Sequence, residues 1–502
     1  MKLFFIYLVA ALLSCESWNQ AQAAQTASAR AGDPFADSSA QENPSLPGDP
    51  FAETTDPSPA SLTGDPFSEK STHWNQSNAA KLKQSKDTFL YKGWLESRNQ
   101  FWLRNKRPFS TRQRLWFEGE GAFTGETVSG NAAVQRRAPR FFLSGSLDFD
   151  PAAADLSTDH NRLSAILHEA YLTVEGKTVD LLIGKKMVRW GTGDGINPLD
   201  LINPRDHRDP LASGRADNRL AVPLIQGIIS LPASDPVQEL TLETVAVPVA
   251  QITRLNAAGA AWEPAALQAL RSLEQQELLV LASQKKPERW FEDGSYGLRL
   301  TATIGGWDLG LTGYSGIKND PVLTGQFETD NRLCITPVHP HINAFGLSFA
   351  TGTHRTTLRG ELAVKPHYPI QKEGSLIPGY SRRTLVEGVI GFDRTFGLNR
   401  YLNLHYFAEF IQKNKETARR HYSHGLTFEC SDLFFNDDVK LGVSGVVGLS
   451  GQGWAIQPYG EYHIDDDWLL AFSFFLFHGD ENEKYGQFAD RDFVSLRLRY
   501  SF

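Results

Sequence analysis

The stretch Phe493-Val494-Ser495-Leu496-Arg497-Leu498-Arg499-Tyr500-Ser501-Phe502 alternates without a break from Val494 onward. Val494, Leu496, Leu498, Tyr500 and Phe502 are apolar, and Ser495, Arg497, Arg499 and Ser501 stand between them. Successive side chains of a strand point to opposite faces, so this is a strand with one greasy and one wet face. Two arginines on the polar face and an aromatic final residue are unusual for a soluble edge strand. They suit a strand whose outer face meets lipid and whose inner face meets water.

The last strand resembles the terminal aromatic signal read by the barrel-assembly machinery of Gram-negative outer membranes, with Tyr500 and Phe502 as its residues. The amino end agrees. Met1-Lys2 is followed by an apolar run over residues 3–15, too short to span a bilayer as a helix, and then by Ala21-Gln22-Ala23. This is the arrangement of a secretory leader, 1–23, cleaved after Ala23. The alternative is Leu12-Leu13-Ser14-Cys15 as a lipidation box, with Cys15 as the modified first residue. Beyond residue 23 no apolar run reaches the ~18 residues of a membrane helix. A membrane location therefore requires a barrel.

Composition is compatible. With 502 residues the chain can furnish one barrel of about 16 strands. The mean hydropathy of −0.33 looks soluble, as barrels do, because only alternate residues face lipid. Phe, Tyr and Trp number 31, 14 and 11, enough for two interfacial girdles. A net charge of −8 gives no reason to expect nucleic acid as a partner. Three cysteines, one in the leader, make no disulfide framework. Cys334 and Cys430 could pair in an oxidising compartment, although their contexts place them in separate strands or loops.

Residues 24–87 form a low-complexity linker too polar to bury a core, expected to be a disordered periplasmic tether. Three GDPF tetrads, at 32–35, 48–51 and 64–67, recur every 16 residues within it. They are either duplicated spacer or three copies of a docking motif presenting Phe35, Phe51 and Phe67 to a periplasmic partner, with avidity from repetition. From 88 to 502 the alternation recurs. Tyr296, Leu298, Leu300, Ala302 and Ile304 oppose Ser295, Gly297, Arg299, Thr301 and Thr303, and Leu358, Gly360 and Leu362 oppose Arg359 and Glu361. Short breaks at Gly305-Gly306, 397–400 and 465–467 predict hairpin turns. Longer breaks near 150–164, 317–340, 367–380 and 479–490 predict external loops. The expected fold is an all-β transmembrane antiparallel barrel. One segment departs: over 262–284, Leu267, Leu270, Leu273, Leu278 and Leu281 recur at helical spacing behind Pro264. This predicts a helical loop, on the rim in preference to the pore.

The most distinctive internal stretch is Gly184-Lys185-Lys186-Met187-Val188-Arg189-Trp190-Gly191, followed by Asp194-Gly195-Ile196-Asn197-Pro198-Leu199-Asp200. Ile202-Asn203-Pro204-Arg205-Asp206 repeats the Ile-Asn-Pro-x-Asp pattern six residues later. Asn-Pro favours turns, and Asp side chains can accept backbone hydrogen bonds. Arg189, Arg205, Arg208 and Arg215 interleave with Asp194, Asp200, Asp206, Asp209 and Asp217, which suggests an internally paired, ordered loop. This motif resembles a large family of Gram-negative outer-membrane barrels often encoded beside exporters of the resistance-nodulation-division type. The resemblance implies movement of lipids or other hydrophobic compounds, with an inner-membrane exporter as a partner, and supplies no catalytic residues.

Chemistry is poorly served elsewhere. His339-Pro340-His341 has no accompanying ligand cluster, so no metal is expected. Ser423 and His424 are strand neighbours that point to opposite faces, a poor nucleophile–base couple. No phosphate loop or haem motif is present, and neither a cofactor nor an enzyme activity is expected. The candidate pore or constriction residues are Arg189, Asp194, Asp200, Arg205, Asp206, Arg299, Arg359, Glu361, Arg497 and Arg499. Such charges either set the preference among solutes or pair across strands. The expected function is an outer-membrane porin-like channel for small or hydrophobic molecules. The alternative is a non-transporting barrel that anchors the GDPF tether.

Overall fold

The computed structural model describes residues 89–502 except 124–137, 155–162, 194–195, 209–217, 330, 354, 373–376, 398, 414–419 and 482. The leader, the tether with Phe35, Phe51 and Phe67, and Asp194 lie outside the described residues.

Consecutive antiparallel strands pair side by side until the last returns to the first. The wall begins with β1 (Phe89–Trp102), β2 (Pro108–Ala122), β3 (Arg140–Phe149), β4 (Leu163–Val174), β5 (Val179–Lys186), β6 (Val222–Ser230) and β7 (Val237–Val247). A short strand off the wall, β8 (Leu279–Leu281), precedes β9 (Ser295–Ile304) and β10 (Trp307–Ile317). Then β11 (Val322–Phe327) and β12 (Leu333–Val338) pair with β8 in a separate small sheet. The wall resumes with β13 (His341–Thr353), β14 (Thr356–Gln371), β15 (Tyr380–Phe396), β16 (Arg400–Ile411) and β17 (Tyr422–Phe434). It finishes with β18 (Val439–Gly448), β19 (Trp454–His463), β20 (Trp468–His478) and β21 (Phe493–Ser501). β1 pairs with β21 from Trp94↔Ser501 to Trp102↔Phe493, closing an 18-stranded barrel. Closure leaves no free sheet edge at the seam, which is how strands become stable in an apolar medium.

The alternation read from the sequence sorts the side chains as expected. Leu298 and Leu347 are 55% and 52% exposed on the outside, whereas Arg299 and Arg497 are buried on the inner face. Outward aromatics ring both ends: Phe89, Trp307, Phe396, Tyr462 and Trp468 at the end holding both strand termini, and Phe149, Tyr296, Phe410 and Tyr422 at the other. Hairpins at the first end are mostly tight. Gly305 and Gly306 make one with φ of +59° and +80°, a conformation costly for residues with a Cβ. The connections 150–162, 187–221, 248–294, 318–340 and 479–492 leave from the opposite end, and one long connection, 123–139, leaves from the first.

Several expectations need correction. The strand number is 18, not about 16. β13 and β14 are separated by only His354 and Arg355, with no Gly, Pro, Asn or Asp to mark a turn, so their sequences read as one run. β14 runs on to Gln371, which shortens the expected 367–380 loop to 372–379, and 317–340 contains β11 and β12. The helix α1 covers only Ala265–Gln275. Leu278 is exposed, and the chain then extends so that Leu279 joins the core of the small sheet with Leu270, Leu273, Leu323 and Ile335. Pro264 does stand at the helix start. Cys334 is buried in β12 and Cys430 exposed on β17, both free thiols.

Candidate functional site

After Lys186 the chain leaves the wall and turns inward. Val188, Trp190 and Ile202 pack against inward-facing Val222, Leu224, Val245, Val247, Ile370, Leu385 and Ile411. Burying three such side chains contributes roughly 1.5–3 kcal/mol each. Two wall glycines make room. A Cβ on Gly297 would lie 2.3 Å from the Trp190 ring, and one on Gly346 would lie 2.0 Å from Leu199. The segment 187–208 is therefore docked on the inner wall.

Its backbone is held by wall carboxylates and one amide. Glu361 of β14 accepts from the N–H groups of Thr192, of Gly193 at 2.5 Å and of Leu199 at 3.4 Å. Glu169 of β4 accepts from Met187 N–H at 2.9 Å. Asn203 accepts from Val188 N–H at 2.7 Å and donates to the Leu220 carbonyl at 2.8 Å. The first Asn-Pro motif makes a turn, with Asp200 N–H donating to the Asn197 carbonyl at 3.2 Å. The motif aspartates serve mainly side chains. Arg219 Nε donates to Asp200 at 2.7 Å, with Arg205 3.6 Å away. Asp206 receives Arg208 at 2.6–2.8 Å and also its backbone N–H at 3.2 Å, while Arg254 approaches to 3.5 Å.

Neighbouring connections are stitched to this segment. His207 N–H donates to the Arg254 carbonyl, Arg254 N–H to that of Arg205, and the Asn319 amide to that of Leu201. Asp320 bonds His207 Nε2 at 3.1 Å and Thr253 Oγ1 at 2.9 Å. Burial alone would raise its carboxyl. The hydrogen bonds from His207 and Thr253 and the nearby Lys318 charge outweigh burial and hold it well below the usual range. Burial and neighbouring Arg219 lower Arg205 to about 10, leaving it charged at neutral pH. Trp262, at the start of the helical segment, packs among Trp102, Phe109, Phe477 and Phe493, which stand at the strand ends where the inner wall meets the loops, with ring centroids 5.6–6.0 Å apart.

Among the other charges read from the sequence, Arg359 pairs with Asp393, Arg497 approaches Glu461 to 3.4 Å, and Arg499 bonds Glu96 at 2.6 Å. Arg299 stands in register with Glu243 and Thr312. Arg189 is half-buried at the start of the inward segment. Tyr500 packs its ring on Trp468, centroids 4.9 Å apart. Phe502 exchanges backbone bonds with Gly93, where a Cβ would meet its ring at 2.7 Å. Sequence reading missed a grid of inward positions on β2, β1 and β21. Arg112, Arg98 and Arg497 form one row, and Arg114, Glu96 and Arg499 the next. Asp148 holds Arg114 with two bonds of 2.7 Å. Alternation in 94–102 and 108–116 was the available signal, but one strand cannot reveal which residues its neighbours bring opposite. Ser423 faces inward and is buried, while His424 lies outside beside Tyr422.

Solved structures resembling the chain include a mutant porin from Rh. blastica, Salmonella typhi OmpF in complex with daunomycin, and Acinetobacter baumannii OccAB3. Their identities are 10%, 9% and 9%, and their TM-scores 0.37, 0.39 and 0.45. Each comparison covers 82% of this chain and 100%, 97% and 98% of the other. No curated protein matches. Residues 91–413 match the family described as "Protein of unknown function (DUF1302)", and the chain belongs to that family.

Proposed function

We propose that this protein is an outer-membrane channel whose lumen is narrowed by the docked 187–208 segment, passing small or hydrophobic molecules. The observation that carries the reading is the closed barrel with an apolar outer band between two aromatic rings and a charged inner wall. In this orientation the end bearing both strand termini faces the periplasm, and the tether extends towards any inner-membrane exporter. Arg205, Asp206 and the wall arginines set the local potential for passing ions. Planar-bilayer recording tests the reading. The purified barrel should conduct, and deletion of residues 194–206 should raise single-channel conductance while the barrel stays folded. Unchanged conductance in the folded deletion would place the segment off the conducting path.

The folded segments inside the lumen and the three GDPF repeats support a second reading, a non-conducting barrel that anchors the tether for a periplasmic partner. A folded barrel silent in bilayers, together with loss of partner capture after Phe35, Phe51 and Phe67 are all replaced by Ala, would favour it.

A further inference from the structure

On one flank, at the end that carries the long connections, β13 and β14 part company. Their ladder ends at Phe345↔Val364, although β13 starts at His341 and β14 runs on to Gln371. β14 also shifts its register with β15 between Lys365 and Tyr368, where His367 takes a φ of +52°. Arg382 of β15 reaches across this place. Its Nη1 donates to the His341 carbonyl and to the His367 carbonyl, each at 3.1 Å, and its guanidinium lies over the Tyr380 ring, 5.9 Å from the centroid. Arg383 Nη1 donates to the Arg382 carbonyl at 3.0 Å, which brings a second positive group alongside. His341 Nε2 bonds Ser315 Oγ at 3.3 Å, holding that ring on the outer face. Arg382, His341 and His367 are all exposed. Among the described residues Arg382 makes no ion pair. With Nη1 committed to two carbonyls, the Nε–Nη2 edge of the guanidinium is left, the edge that clasps an anion side-on.

The height of this cluster decides which anion meets it. Tyr296 of the aromatic ring shares a row with Ser315 and Asn343, and His341 stands two residues beyond that row. Phe410 of the same ring pairs with Val386, and Arg382 stands four residues beyond. At about 3.3 Å per residue and a strand tilt of about 40°, these positions lie about 5 and about 10 Å past the ring. Lipid headgroups fill a layer of that depth outside the hydrocarbon. Below the cluster, Phe345, Leu347, Leu362 and Ile390 are exposed on the outer face, a surface for acyl chains. A molecule that meets both levels is an amphiphile with an anionic head. We propose that Arg382, with His341 and His367 beside it, binds the phosphate of an outer-leaflet lipid headgroup while the chains of that lipid lie on the apolar face beneath. The proposal takes from the channel reading only the orientation of the barrel, with the long connections outside, and is independent of conduction.

The test titrates the folded full-chain barrel, in a neutral detergent at pH 7, with bis-phosphorylated lipid A and counts bound lipid by native mass spectrometry. Lipid A stripped of both phosphates should bind about tenfold more weakly, and Arg382→Gln should weaken the phosphorylated form by about tenfold, as loss of one charge-assisted contact predicts. Arg400→Gln, which removes an exposed arginine paired with Asp432 at the other end of the barrel, should leave binding unchanged. Because Arg382 also ties two strands together, the double variant His341→Gln, His367→Gln carries the test if Arg382→Gln lacks heat-modifiable folding. It keeps both carbonyls and should weaken binding by about threefold or more. Equal binding of the phosphorylated and stripped lipids overturns the proposal. So does undiminished binding in folded Arg382→Gln, or in the double variant where that one is needed. Displacement of lipid A by an equal concentration of inorganic phosphate also overturns it, leaving a site for a free ion. Selective lipid binding by a barrel silent in planar bilayers overturns the channel reading alone.

Discussion

Replacing Glu361 with Ala should undock the inward segment without unfolding the barrel. Its carboxylate is buried and accepts three backbone N–H groups from residues 192–199. Counting only the two shorter bonds, at about 1–1.5 kcal/mol each, gives about 2–3 kcal/mol. At about 1.4 kcal/mol per factor of ten, that is roughly 30- to 150-fold in the docking equilibrium. The remaining apolar anchors, Val188, Trp190 and Ile202, keep the segment inside the barrel, so the effect is local loosening. Amide exchange read by mass spectrometry on the folded barrel measures it, because local opening governs exchange of buried amides. Protection over 190–200 should fall by about 30- to 150-fold in Glu361→Ala. Glu361→Gln, which keeps one acceptor oxygen, should lose less. Protection in β16 and β17 should not move. Unaltered exchange over 190–200 in a folded Glu361→Ala barrel would refute the reasoning and leave the apolar contacts as the sole anchor.

The carboxyl end offers a second prediction. Deleting Phe502 removes the ring over Gly93 and both backbone bonds between them, so heat-modifiable folded barrel should drop sharply; normal yield would count against an assembly role. For pH, burial, with the nearby Lys318 charge acting the same way, lowers His339 from 6.5 to about 4. The neutral ring donates from Nδ1 to the Lys318 carbonyl at 2.9 Å. An unfolded segment takes up this proton below 6.5 and the folded one only near 4, so the 318–340 connection should weaken as pH falls across that interval. Limited proteolysis should show increasing cleavage there, and His339→Gln should flatten the dependence. Finally, Arg98→Gln removes the centre of the arginine row on β2, β1 and β21. Reversal potentials in a salt gradient should then shift towards cations; an unchanged value would mean that the row lies off the ion path.

Alternation with period two is a local property, written into each strand by the need to place one face in lipid and the other in water. For this reason 493–502 alone announced a barrel, Arg299, Arg497 and Arg499 could be assigned to the inner face, and tight turns such as Gly305-Gly306 were legible. The tandem Asn-Pro motifs likewise pointed to an ordered loop over 190–206. Tertiary structure decided the rest, because it depends on which strands become neighbours. No local signal tells that Glu361, about 170 residues away, would hold the backbone of Thr192 and Gly193. None tells that Arg112, Arg98 and Arg497 would align in one row, or that Trp262 would pack among Trp102, Phe109, Phe477 and Phe493. Side-chain periodicity records which face a residue takes; only closure of the barrel fixes what stands beside it.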